Sequence, residues 1–205
     1  MKTSLQGLII VGCGGHARSA ADIVHETDPD CQIVFVDGAG RLGEVIMGFP
    51  VLTSYPETRT ACFVGIGDNA RREQASNDPR LLGKVVSVIA QSSYISHFAI
   101  LGEGLFVGQF AHIGPEARVG RGTIVNDAAI VEHEAVVGMY CHVAANATLL
   151  GRARLGDRVF LGAGAVVRDG VTVCADVTIG MGTIVTADIS EPGVYVGVPA
   201  RRLRC

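Results

Sequence analysis

Three stretches of the chain set reactive residue types side by side. In Val131-Glu132-His133-Glu134 an imidazole stands between two carboxylates. Histidine titrates near neutral pH, so His133 could take a proton from an attacking nucleophile, and an adjacent carboxylate could hold one ring tautomer. The same spacing also describes a plain solvated turn, because exposed histidines beside acids are common. Cys141-His142 puts a thiol beside a second imidazole, which opens a covalent route. Nearer the N-terminus, Gly12-Cys13-Gly14-Gly15-His16 follows the apolar Leu8–Val11 and precedes Ala17–Val24. A strand, a glycine turn and a helix in that order can cradle a phosphate on main-chain N–H groups. Gly65-Ile66-Gly67-Asp68-Asn69 stands in the same place after Ala61–Val64.

The elements around His133 are set by a repeat. Stepping by six from Ile89 meets Ile95, Leu101, Val107, Ile113, Val119, Val125, Val131, Val137, Val143, Leu149, Leu155, Leu161, Val167, Val173, Ile179 and Val185, every one aliphatic. Two residues before these positions stand mostly Ala, Ser, Thr or Cys, so small and large inward residues alternate. Glycine often follows the aliphatic residue, as at 102, 108, 114, 120 and 156, where a turn needs positive φ or close backbone approach. A helix has a period of 3.6 and a strand a period of 2, so a period of six requires a triangular parallel β-helix with three hexads per coil. The seventeen hexads make between five and six coils. Cys141 then falls in the inward small column, where a thiol acts as a small apolar residue. His142 lies nine residues from His133, half a coil around, so a site using both would need a neighbouring subunit.

The first half reads as a small parallel α/β sheet, from strands at Leu8–Val11, Ile33–Val36 and Ala61–Val64 and helices near Ala17–Val24 and Ala70–Asn77. Its ligand edge lies at the strand C-termini. Gly12, Gly14 and Ala17 with Asp37 also fit a dinucleotide fingerprint, but the region before the repeat is too short for both halves of such a fold. The expected divisions are a Rossmann-like domain over 1–85, the β-helix over 86–189 and a tail over 190–205. A net charge of −3 gives no basic footprint for nucleic acid. The N-terminal Lys2–Leu5 and Leu8–Val11 are too short for a signal or a membrane span, so a cytoplasmic protein is expected. The six cysteines are scattered without a Cys-x-x-Cys pair, and His97, His112 and His142 lack metal-ligand spacing. Free thiols and no metal are expected.

The order of these parts, with the terminal Val196-Gly197-Val198-Pro199-Ala200-Arg201, resembles the PglD/NeuD-type sugar acetyltransferases. The resemblance implies an α/β Rossmann-like domain followed by a left-handed parallel β-helix of hexapeptide repeats. It implies a homotrimer, with acetyl-CoA as a co-substrate along the β-helix between subunits and no tightly bound cofactor. Position by position, it assigns His133, Glu134 and Asn126 to catalysis, with Glu134 as partner of the base. It assigns His142, Gly151 and Arg201 to acetyl-CoA, with the Gly151 N–H on the acetyl oxygen. It assigns Gly14, Gly15, His16, Asp37, Gly67 and Asn69 to a nucleotide-linked sugar. Members that bind a UDP-sugar can carry two acids after the second strand, whereas Asp37 is followed by Gly38, which leaves the base open.

The expected activity is N-acetylation of a nucleotide-linked amino sugar, for example a 4-amino-4,6-dideoxy sugar, by direct transfer with His133 as general base. Transfer to a hydroxyl of a sialic-acid-type sugar is the alternative enzyme. A non-enzymatic β-helix scaffold would bind no acetyl-CoA.

Overall fold

Two compact units divide the chain between Val88 and Ile89, three residues beyond the boundary expected after residue 85. The structure is a computed structural model and describes residues 7–41, 43–56 and 60–203. The readings on Lys2–Leu5 and Cys205 lie outside the described residues.

In the first unit, strand β1 (Gly7–Val11) lies between β2 (Gln32–Val36) and β5 (Ala61–Val64) and runs parallel to both. Its run of four buried apolar residues reflects a strand covered on both faces. Helix α1 (Gly15–Thr27) buries Ala17, Ala20, Ala21 and Ile23. A hairpin unforeseen in the sequence, β3 (Val45–Ile46) with β4 (Phe49–Leu52), extends the sheet to the order β3-β4-β2-β1-β5. Its two turn residues, Met47 and Gly48, have φ of +53° and +85°. That is the backbone of a type I′ turn, but Met stands where Asn or Asp would have advertised it. From β1 the chain moves outward through β2 to β4 and returns to β5 on the other side. The strand C-termini on either side of β1 therefore open a crevice at this reversal. Helix α2 (Asn69–Ser76) starts at that edge, directly after β5, with its N-terminus capped by Asp68.

The second unit is a parallel β-helix of mostly two-residue strands set on three sheets of six, five and eight strands. Each aliphatic hexad residue ends one strand, and pairing advances by eighteen residues, as in Val131↔Leu149 and Val125↔Val143. From Val107 to Val185 these residues are 0–3% exposed, and full burial of such a side chain stabilises by roughly 1.5–3 kcal/mol. Ala111, Ala129, Ala135, Cys141, Ala147 and Ala165 fill the narrow corners between them. Of the two reasons offered for the glycine after the strand, the structure selects close approach. A methyl group at Gly156 would lie 2.5 Å from the Ala175 amide nitrogen of the next coil. Positive φ falls two residues later, mostly on side chains such as Glu116, Glu134, Asn146 and Arg158. The tail is not a separate piece: Gly193–Val196 pairs parallel with Val177–Ile179 and folds back onto Arg201–Arg202, which ends the eight-stranded sheet.

Candidate active site

His133 sits at the corner that joins the six-stranded sheet, through Ile130–Val131, to the five-stranded sheet, through Val136–Val137. Its main chain is tied to the coils on either side. The Arg152 amide donates to the His133 carbonyl at 3.0 Å, and the Glu134 amide donates to the Pro115 carbonyl at 2.9 Å. The His133 amide also donates to Glu132 Oε2 at 3.0 Å, so both neighbouring acids act on this one residue.

The imidazole Nδ1 lies 3.2 Å from Glu134 Oε1. An ionised carboxylate only accepts, so this contact places the proton on Nδ1 and leaves Nε2 as the basic nitrogen. The ring edge bearing Nε2 lies over Gly151, eighteen residues on and thus one coil higher. A methyl group on Gly151 would come within 2.5 Å of both Nε2 and Cε1. The glycine leaves the notch into which the base projects. Its φ is not left-handed, so what calls for glycine here is space. Side-chain exposures of 46% for His133 and 49% for Glu134 leave both open to an incoming substrate. The φ of +58° at Glu134 recurs at turn after turn along the solenoid and belongs to the fold.

Asn126 and His142 form a second cluster, at a different corner. His142 stands outward on the eight-stranded sheet, and Asn126 follows the paired strand Ile124–Val125. Asn126 Nδ2 lies 3.3 Å from His142 Nε2, while the Phe160 ring meets the imidazole edge-on at 5.1 Å. The Asp127 amide donates to Asn126 Oδ1 at 2.9 Å, which fixes the amide's orientation. Within one chain His133 and His142 are thus half a turn apart. Arg201 shares neither cluster. It lies in the terminal hairpin, where the Ala200 amide donates to the Ile184 carbonyl, two coils beyond the coil of Gly151, and its guanidinium donates to its own chain at Ala200. Cys141 is fully buried, with its thiol donating to the Gly156 carbonyl at 3.0 Å, a setting that leaves it inert.

In the first unit the crevice collects the other expected residues. Gly14 caps α1 without a side-chain hydrogen bond, and a methyl group at Gly14 or Gly15 would touch nothing within 4 Å. The space above this turn, at the N-terminal end of a helix, is open to an acceptor. His16, in the first turn of α1, sets its ring 5.9 Å from Phe63. Asp37 faces the turn and braces it. Its Oδ2 accepts from the amide and thiol of Cys13, both at 3.2 Å, and Oδ1 accepts from the Ala39 amide at 2.9 Å. The Ala39 amide, then Cys13 and the charge of Arg71, hold its carboxyl below the usual range despite partial burial. Burial, then the contact with Asp37, pushes the Cys13 thiol up. Gly67 and Asn69 lie across the crevice. Gly65, named in the sequence only as part of its turn, has a packing role here, and Arg72 was missed. Gly65 lets β5 approach α1, since a methyl group there would meet Ala17 Cα at 2.8 Å. Arg72, 1% exposed, binds the following turn, and its place three residues after Asn69 on α2 was the available signal.

The PglD N-terminal domain matches residues 7–78, and the hexapeptide repeat of succinyl-transferase matches residues 152–187. The acetyltransferase domain of PglB from Neisseria gonorrhoeae, solved with acetyl coenzyme A, is 30% identical, with a TM-score of 0.89 over 98% of this chain and 100% of that one. A histidine-to-asparagine mutant of perosamine N-acetyltransferase from Caulobacter crescentus, solved with CoA and GDP-perosamine, is 30% identical with a TM-score of 0.88, covering 97% of each chain. The chain belongs to the PglD-type sugar acetyltransferases. The GDP-perosamine N-acetyltransferase of Escherichia coli O157:H7 is 26% identical over 79% of this chain and 78% of that protein. Outside this family the likeness covers less of the chain. The chain spans 29% of the UDP-3-O-acylglucosamine N-acyltransferase of Bordetella avium, with 33% identity over 105 residues. Among the described residues of this PglD-type protein, no group of His, Cys, Asp and Glu could hold a metal ion, and no helix is long and apolar enough to cross a membrane.

Proposed function

We infer that the protein transfers the acetyl group of acetyl-CoA to the amino group of a nucleotide-linked sugar, with His133 as the general base. The observation that carries this reading is the arrangement of His133, Glu134 and Gly151. One ring nitrogen is held by a carboxylate, and the other is turned into a notch that only glycine leaves open.

In the reaction the sugar amine attacks the thioester carbonyl while Nε2 of His133 takes one of its protons. The C–N bond forms, the tetrahedral oxyanion collapses, and the C–S bond breaks. The proton carried by His133 then returns to the departing CoA thiolate. Glu134 keeps the other ring proton on Nδ1 and supports the positive charge that the ring acquires. The Gly151 N–H is assigned to the acetyl oxygen, and the Asn126–His142 pair to the acetyl-CoA side of a site completed by the next subunit of a homotrimer. The half-coil separation of the two clusters supports that assembly. Arg201 stays with the distal part of acetyl-CoA. The crevice of the first unit, with Gly14, Gly15, His16, Asp37, Gly67 and Asn69, holds the nucleotide-linked sugar. The described cysteines are thiols rather than disulfides, which suits the reducing cytosol.

N-acetylation is favoured over O-acetylation by the relatives that share the whole two-unit architecture, two of which are named for perosamine. The test is steady-state acetyl transfer from acetyl-CoA to GDP- and UDP-linked 4-amino-4,6-dideoxy sugars, with free thiol read out. Transfer to a sialic-acid hydroxyl in preference to these amines would replace this reading, and failure to bind CoA would leave a scaffold.

A further inference from the structure

The Arg72 guanidinium is buried in the first unit, and three of its hydrogen bonds are to the turn that follows β5. Nη1 donates to the carbonyls of Ile66 and Gly67 at 3.0 and 2.9 Å, and Nη2 donates to Asn69 Oδ1 at 2.8 Å. Burying an arginine is unfavourable unless its donors are well used. Here they are used to orient one loop. A trans peptide is planar, with its N–H opposed to its C=O. When the carbonyls of Ile66 and Gly67 face Arg72, the N–H groups of Gly67 and Asp68 must face away from it. Neither N–H donates to a backbone carbonyl among the described residues. The bond to Oδ1 likewise decides which end of the Asn69 amide faces Arg72. A methyl group at Gly67 would approach only His16 Cβ, at 3.9 Å, so the loop lies across open space from the first turn of α1.

We propose that Arg72 is a positioning residue for the nucleotide-linked sugar, turning the Gly67 and Asp68 N–H groups and the Asn69 amide toward oxygen acceptors of that ligand. This rests on the reading of the first unit as the nucleotide-sugar domain. Arg72 touches no substrate itself. It acts in binding and leaves the acetyl-transfer step alone.

The experiment compares the wild type with Arg72→Lys, Arg72→Met and Asn69→Ala. GDP and UDP serve as probes in isothermal titration, acetyl-CoA titration is the internal control, and thermal melts show that each variant is folded. Folded Arg72 variants should bind the nucleotide that the wild type prefers about tenfold more weakly or worse, since more than one oriented donor is lost. KM for the nucleotide-linked sugar should rise in step, with kcat and acetyl-CoA affinity unchanged. Asn69→Ala, which removes one contact and keeps the buried arginine, should show the same pattern more weakly and carries the test if the Arg72 variants do not fold. Wild-type nucleotide affinity in a folded Arg72 variant, or in Asn69→Ala if no Arg72 variant folds, would overturn the proposal and leave the acetyltransferase reading standing. A wild-type protein that binds neither GDP nor UDP would overturn both.

Discussion

Replacing Gly151 by alanine tests the placement of the catalytic base without touching the base. The new methyl group would sit 2.5 Å from Nε2 and Cε1 of His133, and an ordinary van der Waals contact needs 3.4–4 Å. The imidazole edge must therefore retreat by about 1 Å or more, and a misplacement of that size can cost on the order of 10²-fold in rate. The upper limit is complete loss of the base, roughly 10²–10⁴-fold. Stability should hardly change. The φ of Gly151 suits alanine, and the displaced group is a half-exposed side chain that can swing toward water. A cost near 1 kcal/mol would move the midpoint of unfolding by only about 2–4 °C in a chain of this size. The assay is kcat for acetyl transfer under saturating co-substrates, beside a thermal melt. Because the effect runs through His133, the double variant with His133→Ala should be no slower than His133→Ala alone. A folded Gly151→Ala protein with kcat within about threefold of wild type would refute the placement of the base, since no 1 Å displacement of a working base is that mild.

His133→Ala should lower kcat by roughly 10²–10⁴-fold with little change in either KM, and full activity in that variant would remove the general-base assignment. Glu134→Ala should cost less, because the ring remains and only its orientation is freed; kcat for the two variants side by side decides this. Cys141→Ser should turn over at close to the wild-type rate, and mass spectrometry that trapped an acetylated Cys141 at the rate of turnover would replace direct transfer by a covalent route. Asp37, held below the usual carboxylate value, contributes stability to the first unit that is complete above the unfolded pKa near 4 and is lost as pH falls through the folded value. Thermal melts from pH 3 to 6 should show that loss in the wild type and a reduced slope in Asp37→Asn. Sedimentation should find a homotrimer, and a fully active monomer would show that the His133 and Asn126–His142 clusters need no neighbour.

The six-residue period alone determined a parallel β-helix, because no helix or hairpin repeats at that interval and each hexad had to bury one aliphatic residue. The same register put Cys141 inside and His133 at a turn. The strand, glycine turn and helix at the N-terminus were legible for a similar reason, since Gly12–Gly15 interrupts two apolar periodicities. The hairpin at 45–52 was not, because its turn chemistry lies in two φ values that Met47 does not announce. What only the tertiary structure decided is which residues meet across the stacked coils. Gly151 looks like any other turn glycine until the eighteen-residue pitch sets it above His133, and Arg72 looks like one more charge on a polar helix until its guanidinium is seen buried beneath Gly67 and Asn69. Contacts of this kind depend on how one layer of the fold lies on the next. Local sequence carries no record of that distance, whereas the periodicity that builds each layer is written in it directly.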